Sequence, residues 1–205
     1  MKNNMTDHYY SEQQQSELKI KQIQVTLFNK SFAIFSASGI FSKSELDKGT
    51  RLLIESAQIK QNSSILDLGC GYGIVGLTIL KNNKDAKCIF VDINKRALLL
   101  TKKNLNYHKI QPERFEIIHS NLYENFKDKT FDVILTNPPQ LAGKDICLRI
   151  IEQSPQRLKT NGSLQLVARP NKGGKTLAKK MKEVFDNVEI IGRGYGFCVY
   201  KSVKK

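Results

Sequence analysis

The 205-residue chain has no tryptophan, three histidines, three methionines, five prolines and four cysteines. Cys70, Cys88, Cys147 and Cys198 are scattered, with no C-x-x-C pair, and His8, His108 and His119 have no metal spacing. A zinc site and a disulfide scaffold are thereby excluded, and free thiols in a reducing compartment are expected. No apolar run approaches the roughly 18 residues of a membrane span, and the opening MKNNMTDHYYSEQQQSE lacks the apolar core of a signal peptide. A cytoplasmic protein with no membrane partner is the expectation. A nucleotide-hydrolysing P-loop is also missing: Gly174-Lys175-Thr176 resembles its tail, but Arg169 stands where its first glycine belongs. Acidic residues are scarce, 19 against 33 basic ones, which leaves a formal charge of +14.

That charge is uneven. Counted along the chain, residues 1–64 carry 8 basic and 6 acidic groups, residues 65–140 carry 11 and 8, and residues 141–205 carry 14 and 5. A positive field concentrated in the last third suits a polyanion, nucleic acid first; because 26 of the 33 basic residues are lysine, coding bias explains the total equally well. The length and the 40% hydrophobic content fit one domain that buries its own core. The expected organisation is a single domain over 1–205. It comprises a flexible polar stretch over 1–17, a hairpin and helix over 18–60, and an α/β core over 61–205.

Two β-rich runs, IKQIQVTLF and SFAIFSA, are split by Asn29-Lys30 and read as a hairpin. Helical spacing follows from Leu46 to Ala57, with Ser44 as its N-cap. From Ser63 strands alternate with helices: SSILDL, KCIFVD, FEIIHS, FDVILT and GSLQLVA are strand-like, and helices are predicted over 74–81, 95–107, 145–158 and 175–185. NVEIIGR and FCVYKSV close the chain as an antiparallel pair around a glycine-rich turn. This order predicts an α/β fold with a parallel sheet covered on both faces and ligands at the C-terminal strand ends.

Asp67-Leu68-Gly69-Cys70-Gly71-Tyr72-Gly73 ends the first core strand and opens a helix. Its glycines allow a tight turn and let a ligand approach the backbone N–H groups. Gly71-x-Gly73-x-x-Gly76, with Asp92 downstream, also satisfies the dinucleotide fingerprint. Asp67 separates the two ligands electrostatically, because a carboxylate repels a pyrophosphate and suits the ammonium and sulfonium of S-adenosylmethionine. Asp92 would then accept from both ribose hydroxyls and Ile93 pack on adenine, with Asn121 reaching the adenine amine and Leu122 covering the other face. Asp92 and Asn121 are equally residue types that cap helices and turns.

Thr136-Asn137-Pro138-Pro139-Gln140 follows the fourth core strand. The prolines fix the backbone and remove two donors, leaving the Pro138 carbonyl and the Asn137 side-chain oxygen as acceptors. Two acceptors that take both N–H groups of a planar amine can turn its lone pair toward a methyl sulfonium, so orientation drives an in-line displacement. No Pro-Cys pair follows this strand, which argues against methylation through a cysteine nucleophile.

DLGCGYG, Asp92 and N-P-P together resemble the class I S-adenosylmethionine-dependent methyltransferases that modify exocyclic or amide nitrogens. FSASGIFS at 35–42, LDKGTRLLIE at 46–55 and the N-terminal Asp7-His-Tyr-Tyr10 narrow the likeness. They resemble the small-subunit ribosomal RNA guanine-N2 methyltransferase family, in particular its single-domain archaeal-type relatives. The resemblance covers nearly the whole chain. It implies a Rossmann-like, seven-stranded mixed sheet with helices on both faces, here with an N-terminal β-hairpin extension, S-adenosylmethionine as cofactor, and N2-methylguanosine in RNA as product. The partner it implies is small-subunit ribosomal RNA or its ribosomal particle. Residue by residue, Asp67, Gly69 and Gly71 match the methionine loop, Asp92 the ribose acid, and Asn137 with Pro138 the amine-binding turn. Gly49 and Thr50 match a segment lining the methionine end, which is also simply the start of a helix. Adenine N6 and a glutamine amide remain alternative acceptors that an N-P-P turn can hold, and a non-catalytic RNA-binding module is the reading from another class.

Two departures stand out. Bacterial members carry a second, degenerate methyltransferase-like domain, for which 205 residues leave no room. Related enzymes also often place an aromatic after N-P-P to stack on the base, where this chain has Gln140 beside Pro139. Stacking would then fall to another aromatic, with Phe41, Phe35, Tyr195 and Phe197 as candidates that also suit a core or strand. Arg169, Lys172 and Lys175, in the loop after the fifth core strand, are candidate contacts to the RNA backbone, or a solvated loop.

Overall fold

The computed structural model describes residues 19–37, 46–126, 128–138 and 144–205. A hairpin comes first, β1 (Ile20–Leu27) and β2 (Lys30–Ala37). Leu27 pairs with Lys30, so the two-residue turn is Phe28-Asn29, one position earlier than the expected Asn29-Lys30. Both turn residues take positive φ, +50° and +58°, as a tight hairpin turn of the right twist demands. Helix α1 (Lys48–Ser56) follows, capped by Asp47 rather than by Ser44: the Asp47 carboxylate accepts from the Thr50 N–H at 2.8 Å. Ser44 lies outside the described residues.

The core then runs β3 (Ser64–Leu68), α2 (Ile74–Asn82), β4 (Lys87–Asp92), α3 (Lys95–Tyr107), β5 (Phe115–His119), β6 (Phe131–Thr136), α4 (Lys144–Gln153), β7 (Leu158–Ala168), α5 (Gly174–Phe185), β8 (Glu189–Gly194) and β9 (Phe197–Val203). The periodicity locates these elements to within a residue or two, with two larger differences, both beside Pro155. Helix α4 stops at Gln153 instead of continuing to residue 158, because Pro155 has no N–H to donate and its ring clashes with the preceding turn. A short 3₁₀ turn carries the chain over, and β7 starts at Leu158, four residues before the expected strand.

The seven strands lie in the order β5-β4-β3-β6-β7-β9-β8. The first five are parallel, and β9 runs antiparallel to both β7 and β8, so the sheet is mixed as expected. Strand side chains alternate between two cores. One joins the sheet to α1, α2, α3 and the hairpin through residues such as Leu53, Leu77, Phe90, Leu100 and Ile34. The other joins it to α4 and α5 through Leu66, Ile134, Ile150, Leu166 and Met181. The chain builds outward from β3 to β5, then crosses to β6 on the other side of β3. The connections after β3 and β6 therefore leave to opposite faces, which opens a crevice at the C-terminal ends of these strands. Among the described residues, no helix is long and apolar enough to cross a membrane.

Candidate active site

The crevice has two halves that share Gly69 and Asn137. The larger spans about 680 Å³, its open mouth included, and is walled by Leu68, Val91, Ile93, Leu122, Ile146 and Ile150, with Asp92, Ser120, Asn121, Thr136 and Asn137 as its polar groups. Leu122 reaches it from a backbone at φ +52°, a conformation that strains a bulky residue. Thr136 Oγ1 is buried and has no hydrogen-bond partner among the described residues. The smaller half spans about 380 Å³, its open mouth included, and is lined by Thr50, Asp67, Gly69 to Tyr72, Ile74, Val75 and Asn137.

The glycine loop differs from expectation in one respect. Its N–H groups do not wait for a ligand: those of Gly69 and Cys70 donate to Val91 O, that of Gly71 to Asp92 Oδ2 at 2.8 Å, and that of Gly73 to Cys70 O. At the α2 N-terminus, Gly76 N–H donates to Asp67 Oδ2 at 2.9 Å. A pyrophosphate would need those donors and would meet a carboxylate in their place. The dinucleotide reading therefore fails on geometry. Gly69 does face the cleft: at φ +71° a Cβ there would have open space around it. Gly73 is not among the residues lining either half; it is the left-handed cap of α2, where a Cβ would strike Thr101 at 2.8 Å.

Asp67 is buried, and desolvation pushes its carboxyl up to about 7 against the Gly76 N–H that favours the charged form, with the Asp92 charge adding to the rise. A cation arriving in the polar half would complete that charge. The Cys70 thiol beside it is pushed well above its ordinary range, chiefly by burial, and so stays protonated.

Asp92 spends both oxygens on backbone, accepting from Gly71 N–H and from Asn94 N–H at 2.9 Å. It ties the loop to the end of β4 and lines the apolar half. Asp92→Ala would orphan two buried N–H groups and is expected to lower the unfolding free energy by about 2–4 kcal/mol. Urea midpoints measure this, and a loss well under that range would mean the loop holds itself. Asn121 lies in an exposed turn at the rim, where its amide donates to Glu124 Oε1.

Asn137 is fixed from the side. Its Nδ2 donates to Asp47 Oδ2 at 2.9 Å and to Thr50 Oγ1 at 2.8 Å, across 90 and 87 residues of sequence. Pro138 is buried behind it. Thr50 lines the polar half and also grips the Asn-Pro-Pro turn.

Several residues of this arrangement escaped the sequence reading. Asp47 enters the sequence reading only within LDKGTRLLIE, because the helix cap was assigned to Ser44. Thr101 Oγ1 donates to Gly71 O at 2.9 Å, and the fully buried Asn104 donates to Tyr72 O and Phe35 O while accepting from Phe35 N–H. These two hold the loop from behind and clamp the hairpin to it. Their signal is a Thr and an Asn three residues apart on the apolar stripe of α3, between Leu98 and Leu105.

Arg169 follows β7 on the same edge of the sheet, with its guanidinium 4.6 Å from the centre of the Phe197 ring. Phe197 is only 6% exposed, so of the candidate aromatics it is core, whereas Tyr195 stands 55% exposed at the β8–β9 turn. Phe35 packs edge-on against Tyr107 on the hairpin side. Lys172 and Lys175 are exposed on the loop and first turn leading into α5. None of these basic residues lines either half of the crevice. Phe41, Pro139 and Gln140 lie outside the described residues.

Residues 31–201 match the family described as the methyltransferase small domain. The chain belongs to that family. Among relatives, this chain is 37% identical over 202 residues to the uncharacterized protein YbxB of Bacillus subtilis, covering 98% of this chain and 100% of that one. It is 32% identical to ribosomal RNA small subunit methyltransferase C of Psychromonas ingrahamii, over 91% of this chain and 52% of that protein. Against the protein of that name from Haemophilus influenzae, identity is 31% over 96% and 59%. The chain therefore spans little more than half the length of these ribosomal RNA methyltransferases. Among solved structures, the Thermus thermophilus 16S ribosomal RNA N2 G1207 methyltransferase, in complex with AdoMet and guanosine, has the same fold. Its TM-score is 0.78 at 21% identity, over 93% of this chain and 52% of that one. A ribosomal protein L11 methylase from Lactobacillus delbrueckii shares the methyltransferase fold more loosely, with a TM-score of 0.63 at 20% identity over 77% of each chain.

Proposed function

We propose that this protein methylates the exocyclic N2 amine of a guanine in small-subunit ribosomal RNA, with S-adenosylmethionine as donor. The observation that carries the reading is the Asn137 amide, held by Asp47 and Thr50 at the junction of the two halves. The donor fits the residues present. The apolar half offers a nucleoside Asp92, Asn121 and the unpartnered Thr136 hydroxyl, and the polar half offers a cation the buried Asp67 beside an open Gly69. When bound, it supplies a methyl group on a sulfonium.

The protein's own contribution is placement. Asn137 Oδ1 and the Pro138 carbonyl accept the two N–H groups of the target amine, which aims its lone pair and stabilises positive charge as it grows on nitrogen. Guanine and RNA are supported by the names of the relatives and by the solved fold neighbour. The supporting charge is the +9 of residues 141–205, on a chain that spans only part of the larger enzymes. The protein acts in the cytoplasm as one catalytic unit, on naked RNA or on the ribosomal particle. Labelled donor incubated with unmethylated small-subunit RNA and with assembled particles tests this. N2-methylguanosine on nucleoside analysis is the expected product; label in N6-methyladenosine or in protein amide, or no transfer at all, would overturn it.

Arg169, Lys172 and Lys175 hold the RNA backbone beside the cleft in this reading. Changing all three to alanine is expected to weaken RNA binding by about tenfold or more at physiological salt. It should also flatten the log–log salt slope by about 0.7–0.9 per lost contact. Donor affinity, read by calorimetry, should not move.

A further inference from the structure

Asn137 can act as an acceptor only if its oxygen faces the cleft. An amide turned by 180° has nearly the same shape, with donors where the acceptor was. Its partners decide which way it points. Asp47 Oδ2 has no hydrogen to give, so it specifies nitrogen on the α1 side, at 2.9 Å. Thr50 Oγ1, at 2.8 Å from the same nitrogen, could in principle donate or accept. Its own hydrogen goes to Asp47 Oδ2 at 3.1 Å, which leaves only lone pairs toward Asn137. Asp47 thus sets the amide twice, once directly and once through Thr50. A turned amide would bring its oxygen against a carboxylate and a hydroxyl lone pair.

Resting on the proposed reaction, we infer that Asp47 is the positioning residue for Asn137, the group that makes an N-P-P turn an amine acceptor in this chain. Its position is fixed by its second task. As the N-cap of α1 it accepts from Thr50 N–H at 2.8 Å, so the helix start, the threonine and the asparagine form one rigid unit. The approach is close: a Cβ on Gly49 would lie 3.1 Å from Asp47 Oδ2 and 2.9 Å from the Phe197 ring, so the carboxylate is confined. Without Asp47 the Thr50 hydroxyl is free to donate, the amide turns, and the cleft presents N–H groups to an incoming amine.

Two substitutions separate positioning from helix capping. Asp47→Ser keeps a good N-cap but is too short to reach Asn137; Asp47→Asn keeps an acceptor oxygen at full length. Asp47→Ser is expected to lower kcat by about 10–100-fold with KM for RNA nearly unchanged, and Asp47→Asn to restore most of it. In an Asn137→Ala background, Asp47→Ser should cost nothing further, because the group it orients is gone. An equal loss in both backgrounds, or a fully active Asp47→Ser, would overturn the inference. A readout independent of turnover is the Asn137 side-chain amide in NMR of the protein by itself. Its two protons should exchange slowly in the wild type and in Asp47→Asn, and fast in Asp47→Ser. Fast exchange in the wild type would refute the clamp whatever the enzyme methylates, whereas protected protons with no methylation of RNA would leave the clamp standing and remove the proposed reaction.

Discussion

Asn137→Ala is expected to lower methyl transfer by about 10²–10³-fold while donor affinity stays within about threefold. The reasoning follows from where Asn137 sits. It touches both halves of the crevice, but the polar contacts that could hold a donor come from Asp67, Asp92, Asn121 and Thr136, all of which survive the change. What is lost is one of the two acceptors that orient the amine, and orientation enters the rate rather than the donor equilibrium. The fold should tolerate the substitution, since Asp47 keeps its bond to Thr50 N–H and α1 stays capped. Single-turnover rates with saturating donor, alongside calorimetric donor binding, read the two effects separately. A fully active variant would remove Asn137 from the chemistry, and a large loss of donor affinity would make it a binding residue instead.

Asp67→Asn is expected to act in opposite directions on stability and on binding. Burial pushes the folded carboxyl from its ordinary 3.8 up to about 7. Between these values the unfolded chain has released its proton and the folded one has not. Stability therefore falls as pH rises from about 4 to 7 and levels off above. Asparagine carries no charge and can still accept from Gly76 N–H, so the ligand-free variant should be more stable than the wild type above pH 7. The gain approaches an upper limit of about 4 kcal/mol. A chain of this size gains roughly 2–4 °C in Tm per kcal/mol, and the advantage should vanish toward pH 4. Binding of a cationic donor needs the ionised carboxylate, so wild-type affinity should drop about tenfold between pH 8 and pH 6, by the fraction of competent protein. The variant should bind about 10–100-fold more weakly at pH 8, with a flatter profile. Thermal melts and calorimetry across pH 5–8 check both halves, and a variant less stable at pH 8 would mean that Asp67 is already paired in the free protein.

The sequence reached far because much of this fold is written locally. Strand and helix periods, the glycine turn and the N-P-P turn each depend on neighbours a few residues away, and they located the crevice at the strand ends and the two turns that border it. Local chemistry also explains the small errors: the hairpin turn moved by one residue to satisfy its pairing register, and Pro155 ended α4 early.

Contacts that depend on which strands become neighbours were not legible. Asp47 and Asn137 are 90 residues apart, and only the placement of β6 beside β3, with α1 packed over the same face, brings them to hydrogen-bond distance. The same holds for Asn104 bridging the hairpin and the glycine loop, and for Arg169 lying on Phe197. Asp67 shows the division within one residue. The sequence by itself determined that an acid stands beside the glycine loop. Burial in the tertiary structure decided that this acid titrates near neutrality, because desolvation is a property of what surrounds a charge and not of its place in the chain.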